Sequence, residues 1–217
     1  MNLLAVETAS SVCGIALFLE GKLAGIVEEE VGRQHSEKLP LYFERLLGTR
    51  RVSLMDLDGI AVSIGPGSFT GLRIGLSFAK GLAFSRQLPI APVPTLEAMV
   101  RHAAPSRRRV RCVLHSHRDF VYVQDFSGTG TEPTGPPVSA RWEEAVGSLP
   151  DGSVICQYGC DELLKRTQSN FPAVPVRPSA RGVGEVALTR FDRIKKIDFH
   201  DLEPEYVSHF PPSMPEK

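Results

Sequence analysis

The acidic residue of this chain best placed to do chemistry is Glu7, which closes the apolar run Leu4-Ala5-Val6 and opens the turn Thr8-Ala9-Ser10-Ser11. A phosphate-binding turn needs backbone N–H groups brought close to the anion. The loop Gly65-Pro66-Gly67-Ser68 could cradle an anion, because a helix starting there points unsatisfied N–H groups and its positive dipole end at it. Two features argue the other way. No glycine follows Glu7, although close backbone approach to a phosphate favours one. The same Gly65 to Ser68 loop also suits a tight strand-to-helix turn in which glycine takes an unusual conformation and Ser68 caps the helix. Sequence alone leaves both readings open.

Other reactive groups are sparse. Cysteines stand at 13, 112, 156 and 160; only Cys156 and Cys160 are close, and their C-x3-C spacing lacks a second Cys or His pair, so reduced, mostly buried thiols are expected rather than zinc ligands. Histidines 35, 102, 115, 117, 200 and 209 are scattered. His115 and His117 alternate along a strand and would share a face, but no third ligand accompanies them, which reads as a solvent-facing or interface pair. Neither a His-Glu-x-x-His helix nor a Gly-x-Ser-x-Gly elbow occurs, which removes the chemical basis for a peptidase.

The strongest pattern lies in the helix expected over 68–84. Gly71, Gly75 and Ala79 fall four apart on one face, beside an apolar stripe of Leu72, Leu76, Ala79 and Ala83. Glycine inside a helix costs about 1 kcal/mol relative to alanine, so a structural return is needed. Close packing of another helix supplies one, and packing against the protein's own sheet or first helix supplies another. A second helix over 35–47 carries Leu39, Phe43, Leu46 and Leu47 at helical spacing.

The elements that must position these residues begin with runs 2–8, 13–19 and 23–27, which predict an antiparallel meander with a turn at Glu20-Gly21-Lys22. Then come the 35–47 helix, a strand at 59–64, the 68–84 helix, a strand at 90–93 and a helix from Thr95, its cap, to His102. Further on we expect a strand at 110–114, a Gly/Pro-rich loop over 127–137, helices at 141–149, 160–169 and 180–194, and strands at 153–157 and 173–177, closed by a Pro-rich tail. Arg107-Arg108-Arg109 reads as an exposed edge at the lobe boundary. The 217 residues, 42% hydrophobic and 23% charged, are ordinary globular composition, and 25 basic residues balance 25 acidic ones. No chain-wide field draws the protein to a phosphate backbone or an anionic bilayer. With no basic n-region and no apolar run near the roughly 20 residues of a span, a cytoplasmic location is expected.

Gly65-Pro66-Gly67-Ser68-Phe69-Thr70-Gly71-Leu72-Arg73-Ile74-Gly75, together with Leu4 to Ser10, Lys80-Gly81-Leu82-Ala83 and Val93-Pro94-Thr95-Leu96, resembles the TsaB (YeaZ) family over about the first hundred residues. The second half resembles it less: His115-Ser116-His117-Arg118 stands where the family has Asp-Ala-Arg-Arg, and Leu202 to Val207 is similar to its closing Pro-x-Tyr segment, with Ser208 in place of an arginine. The resemblance implies an α/β fold of the ribonuclease-H-like, actin-like ATPase architecture, in two lobes that each have a mixed sheet and helices. It places a partner-binding lobe at 1–104 and a smaller lobe at 105–217. In TsaD-type paralogues a metal is held by two histidines spaced four apart, whereas the matching positions here are Thr95 and Met99, poor ligands for a hard metal. The resemblance thus implies a non-catalytic scaffold with no cofactor and no metal. It would bind TsaD as a heterodimer, recruit TsaE, and meet tRNA only through the complex that forms N6-threonylcarbamoyladenosine at position 37; a homodimer is the alternative for the isolated chain. The implied partner surface is Leu39, Phe43, Gly71, Leu72, Gly75, Leu76 and Ala79, and any vestigial nucleotide contact falls to Ser10, Gly65, Gly67 and Glu7, which the resemblance puts where the fold uses an acidic residue to place magnesium. The contrasting reading is a stand-alone actin-like ATPase or kinase.

Overall fold

The computed structural model describes residues 1–103, 109–127, 132–147, 149, 152–167 and 172–207. Most of the basic run at 107–109, part of the 127–137 loop, and the tail with Ser208 and His209 lie outside the described residues.

The first sheet contains β1 (Leu3–Glu7), β2 (Val12–Leu19), β3 (Lys22–Glu30), β4 (Gly59–Gly65) and β5 (Ile90–Pro94), in the order β3-β2-β1-β4-β5. The first three strands form the expected antiparallel meander, and β4 and β5 add in parallel. Glu20 and Gly21 both take positive φ in the expected turn between β2 and β3. The crossovers are α1 (His35–Arg50) and α2 (Phe69–Arg86), and α3 (Thr95–Ala103) leads out of the lobe. Strand alternation separates the sheet's two faces. Leu4, Val6, Ile15, Leu17, Ile60 and Val62 pack under α1 and α2.

The second sheet has the order β10-β9-β6-β7-β8, built from β6 (Val110–His117), β7 (Phe120–Phe126), β8 (Val138–Arg141), β9 (Val154–Tyr158) and β10 (Ala173–Pro175). Helices α4 (Trp142–Gly147) and α5 (Asp161–Thr167) accompany it. Strand β8 falls where periodicity predicts no element. It is a four-residue edge strand with no buried residue, so it carries no apolar alternation to read. The two mixed sheets give the α/β architecture expected.

The last helix, α6 (Ala180–Ile194), has the expected bounds but returns to the first lobe. There Ala180, Val183, Val186, Ala187 and Phe191 pack on the other face of the first sheet, against Leu3, Ala5, Ala16, Phe18 and Ala61. Small residues on both sides permit the close approach; a side chain on Gly184 would collide with the Phe18 ring. Arg190, where α6 is kinked, pairs with buried Glu97 of α3 at 2.5 Å. The chain from Lys196 to Tyr206 then bonds to Ile90 and Ile64. A single cut near 104 therefore does not match the packing, because 180–206 belong with the first sheet. Among the described residues no helix is long and apolar enough to cross a membrane.

Candidate functional site

Glu7 ends β1 inside the molecule, with no exposed surface. Its Oε1 accepts the Ala9 amide at 2.5 Å, while Oε2 is buried without a hydrogen-bond partner. Across the sheet Glu7 lies opposite Gly14, and Gly14 opposite Glu28, so two carboxylates share one face with only a glycine between them. Glu28 is engaged at the start of α6: it accepts the Ser179 hydroxyl at 2.9 Å and the Ala180 amide at 3.1 Å, and pairs with Arg177 at 3.1 Å. Burial pushes the Glu7 carboxyl up to about 7, with the Glu28 charge adding to the rise; the Ala9 amide and the Ser63 hydroxyl oppose it. Glu7 is thus an acid that holds its proton to near neutrality.

The other proposed nucleotide residues are used within the chain. The Ser10 hydroxyl accepts the Val12 amide at 3.1 Å, and its carbonyl receives His35 Nε2 at 2.9 Å. A side chain on Gly65 would collide with the Glu205 carbonyl, and one on Gly67 with the Ala9 carbonyl. Ser68 donates its amide to Ala9 at 2.7 Å and caps α2, its hydroxyl accepting the Gly71 amide at 3.2 Å. Of the two readings of this loop, the geometry matches the tight turn: the glycines make room for the chain itself.

Helix α2 is oriented contrary to expectation. Gly71, Leu72, Gly75, Leu76 and Ala79, expected on a partner surface, are buried, as is Leu39 of α1. A Cβ on Gly71 would strike the Thr8 carbonyl and one on Gly75 the Thr8 hydroxyl. The small-residue face therefore lets α2 lie on the end of β1, and Gly71, Leu72, Gly75, Leu76 and Ala79 are unavailable to another chain, whereas Leu39 reaches the floor of the groove described next. Phe43 alone of the set is partly exposed, edge-on to Phe78 at 5.8 Å between ring centroids.

The outward side of the same two helices forms a groove of about 620 Å³, lined by Pro40 of α1 and by Phe69, Arg73, Ile74, Ser77 and Phe78 of α2, among others. Phe69 is 53% exposed at its edge. Gly81 continues this side with open space around it. Sequence reasoning missed this face, although Ile74 and Phe78 stand four apart and form a second apolar stripe.

Thr95 and Met99 are buried, Met99 against Val110, Cys112 and Leu114 of the second sheet, and the Thr95 hydroxyl has no partner, so it does not cap α3. His115 and His117 do not converge: the pairing shifts register between them, His115 Nε2 meets the Arg118 carbonyl at 3.0 Å, and His117 stacks on Phe120. Cys13, Cys156 and Cys160 are buried, with thiols pushed up by burial to about 12, 11 and 12.

A family model described as TsaD: tRNA N6-adenosine threonylcarbamoyltransferase matches residues 18–134. The chain is 38% identical over 128 residues to the tRNA threonylcarbamoyladenosine biosynthesis protein TsaB of Escherichia coli, covering 58% of this chain and 55% of that protein. It spans about half the length of the curated TsaB relatives it matches, at 55%, 43% and 54%. YeaZ from Pseudomonas aeruginosa superposes with a TM-score of 0.80 at 25% identity, over 94% of this chain and 99% of that one. The activator of 2-hydroxyisocaproyl-CoA dehydratase from Clostridium difficile, solved with bound ADPNP, shares the fold alone, at a TM-score of 0.52 and 10% identity over 88% of this chain and 95% of that one.

Proposed function

We propose a function from the premise that this chain belongs to the TsaB (YeaZ) family of tRNA threonylcarbamoyladenosine biosynthesis proteins. It is a non-catalytic cytoplasmic scaffold that docks its first lobe onto TsaD. With TsaE, the pair forms N6-threonylcarbamoyladenosine at position 37 of tRNAs reading codons that begin with A. The observation that carries this reading is the apolar groove between α1 and α2, which leaves Phe69 half exposed on a chain with ordinary globular composition. A helix-lined apolar groove suits an apolar helix of a partner. Two further facts support the absence of chemistry in this chain. Glu7, the one candidate for placing magnesium, has no exposed surface, and Thr95 and Met99 are packed in the core. Balanced charge also favours contact with tRNA through the complex rather than by this chain alone.

Co-expression with TsaD from the same organism, followed by sizing and a tRNA-modification assay, tests the reading. The expected result is a stable complex, no modification by this chain alone, and loss of the complex on Phe78→Asp. Turnover of ATP or modified tRNA from the isolated chain would favour the stand-alone ATPase or kinase instead.

A further inference from the structure

The segment after α6 supplies a side chain to the rim of the groove. Glu205 donates its amide to the Ile64 carbonyl at 2.6 Å, and the next residue, Tyr206, lies against α2. There the Tyr206 ring packs on Phe69 at 5.0 Å, and its hydroxyl accepts Arg73 Nε at 2.8 Å. The Arg73 guanidinium lies 3.9 Å over the Phe69 ring. Arg73 is thus held from two sides, by a chain end more than a hundred residues away in sequence and by its own helix.

Arg73 is also the one charged residue among those lining the groove, and among the described residues it forms no ion pair. A stacked guanidinium held through Nε keeps its terminal nitrogens for a planar acceptor, the geometry that a carboxylate takes in a bidentate pair. Covering a lone cation with an apolar surface would leave it buried without a counter-charge, a costly arrangement.

Resting on the docking of this lobe to TsaD, we infer that the groove's occupant is a partner helix carrying an aspartate or glutamate among its apolar residues, and that Phe69, Arg73 and Tyr206 form the anchor for that carboxylate. The C-terminal segment is then part of the docking surface, and Tyr206 is a positioning residue for Arg73.

The test is association of the full chain with TsaD, by calorimetry at low and at high salt, with thermal unfolding of each variant as the folding control. Arg73→Gln should weaken association at least about tenfold and remove most of its salt dependence. Arg73→Lys should not restore it, because a point charge neither stacks nor pairs through a fork. Tyr206→Phe should give a smaller loss with the salt dependence kept; it also serves if Arg73→Gln proves unstable. If Arg73→Gln binds as the parent does while Phe78→Asp abolishes binding, the carboxylate anchor is wrong and the docking surface stands. If Phe78→Asp also binds as the parent does, both are wrong.

Discussion

The hydroxyl of Thr8 occupies the space that a side chain on Gly75 would need. This one relationship joins the end of β1 to the middle of α2 and turns the glycine face inward. Gly75→Ala would ordinarily stabilise a helix, yet here the added methyl must displace a buried residue. We expect it to destabilise the monomer by about 1 to 3 kcal/mol, a fall in Tm of roughly 2 to 4 °C per kcal/mol for a chain of this size. Thr8→Ala in the same chain should recover part of the loss, because the Oγ1 that collides is removed. Thermal unfolding of the two single variants and the double variant measures the coupling; strictly additive losses would contradict the contact.

Gly81, six residues further along α2, should behave in the opposite way. Nothing lies within contact of a side chain added there. Gly81→Ala should therefore raise monomer stability by up to about 1 kcal/mol through helix propensity alone. A lowered Tm would show that this side of α2 is packed in the free chain.

Glu7 predicts a specific pH dependence. Its carboxyl is raised from 4.5 to about 7 in the fold, so the native state binds the proton more tightly than the unfolded chain. Its protonation supports folding fully below about pH 4.5, and that support is lost as pH rises through about 7. The full effect is on the order of 3 kcal/mol, at about 1.4 kcal/mol per pH unit. Glu7→Gln, which stays neutral, should lose less stability between pH 5 and pH 8 than the parent. Denaturant melts of the two proteins across that range check the sign; parallel curves would mean that Glu7 is already ionised in the fold.

The thiols offer a simpler check. All four cysteines are buried, and desolvation suppresses the thiolate that reacts. Native protein at pH 8 should resist a thiol reagent for far longer than protein unfolded in denaturant, which should release four reactive groups. Rapid labelling of Cys156 or Cys160 in the native state would point to an open second lobe.

Periodicity and turn residues were enough to read α1, α2, α6 and the first five strands, because 3.6- and 2-residue repeats are local properties of the chain. The string from Gly65 to Gly75 was enough for the family. Neither could say which side of α2 faces inward, since Gly71/Gly75/Ala79 and Ile74/Phe78 are both coherent stripes. That choice depends on where β1 ends: Thr8 approaches α2 so closely that only glycine fits there, which turns Arg73 to the outside and leaves Ile74 and Phe78 half-buried on the outward side. The destination of α6 was likewise undetermined by its own residues, because an amphipathic helix states that it has an apolar side and not which sheet will cover it. The alanine-rich face of the first sheet decided that, and by drawing the C-terminal segment back it brought Tyr206 onto Arg73.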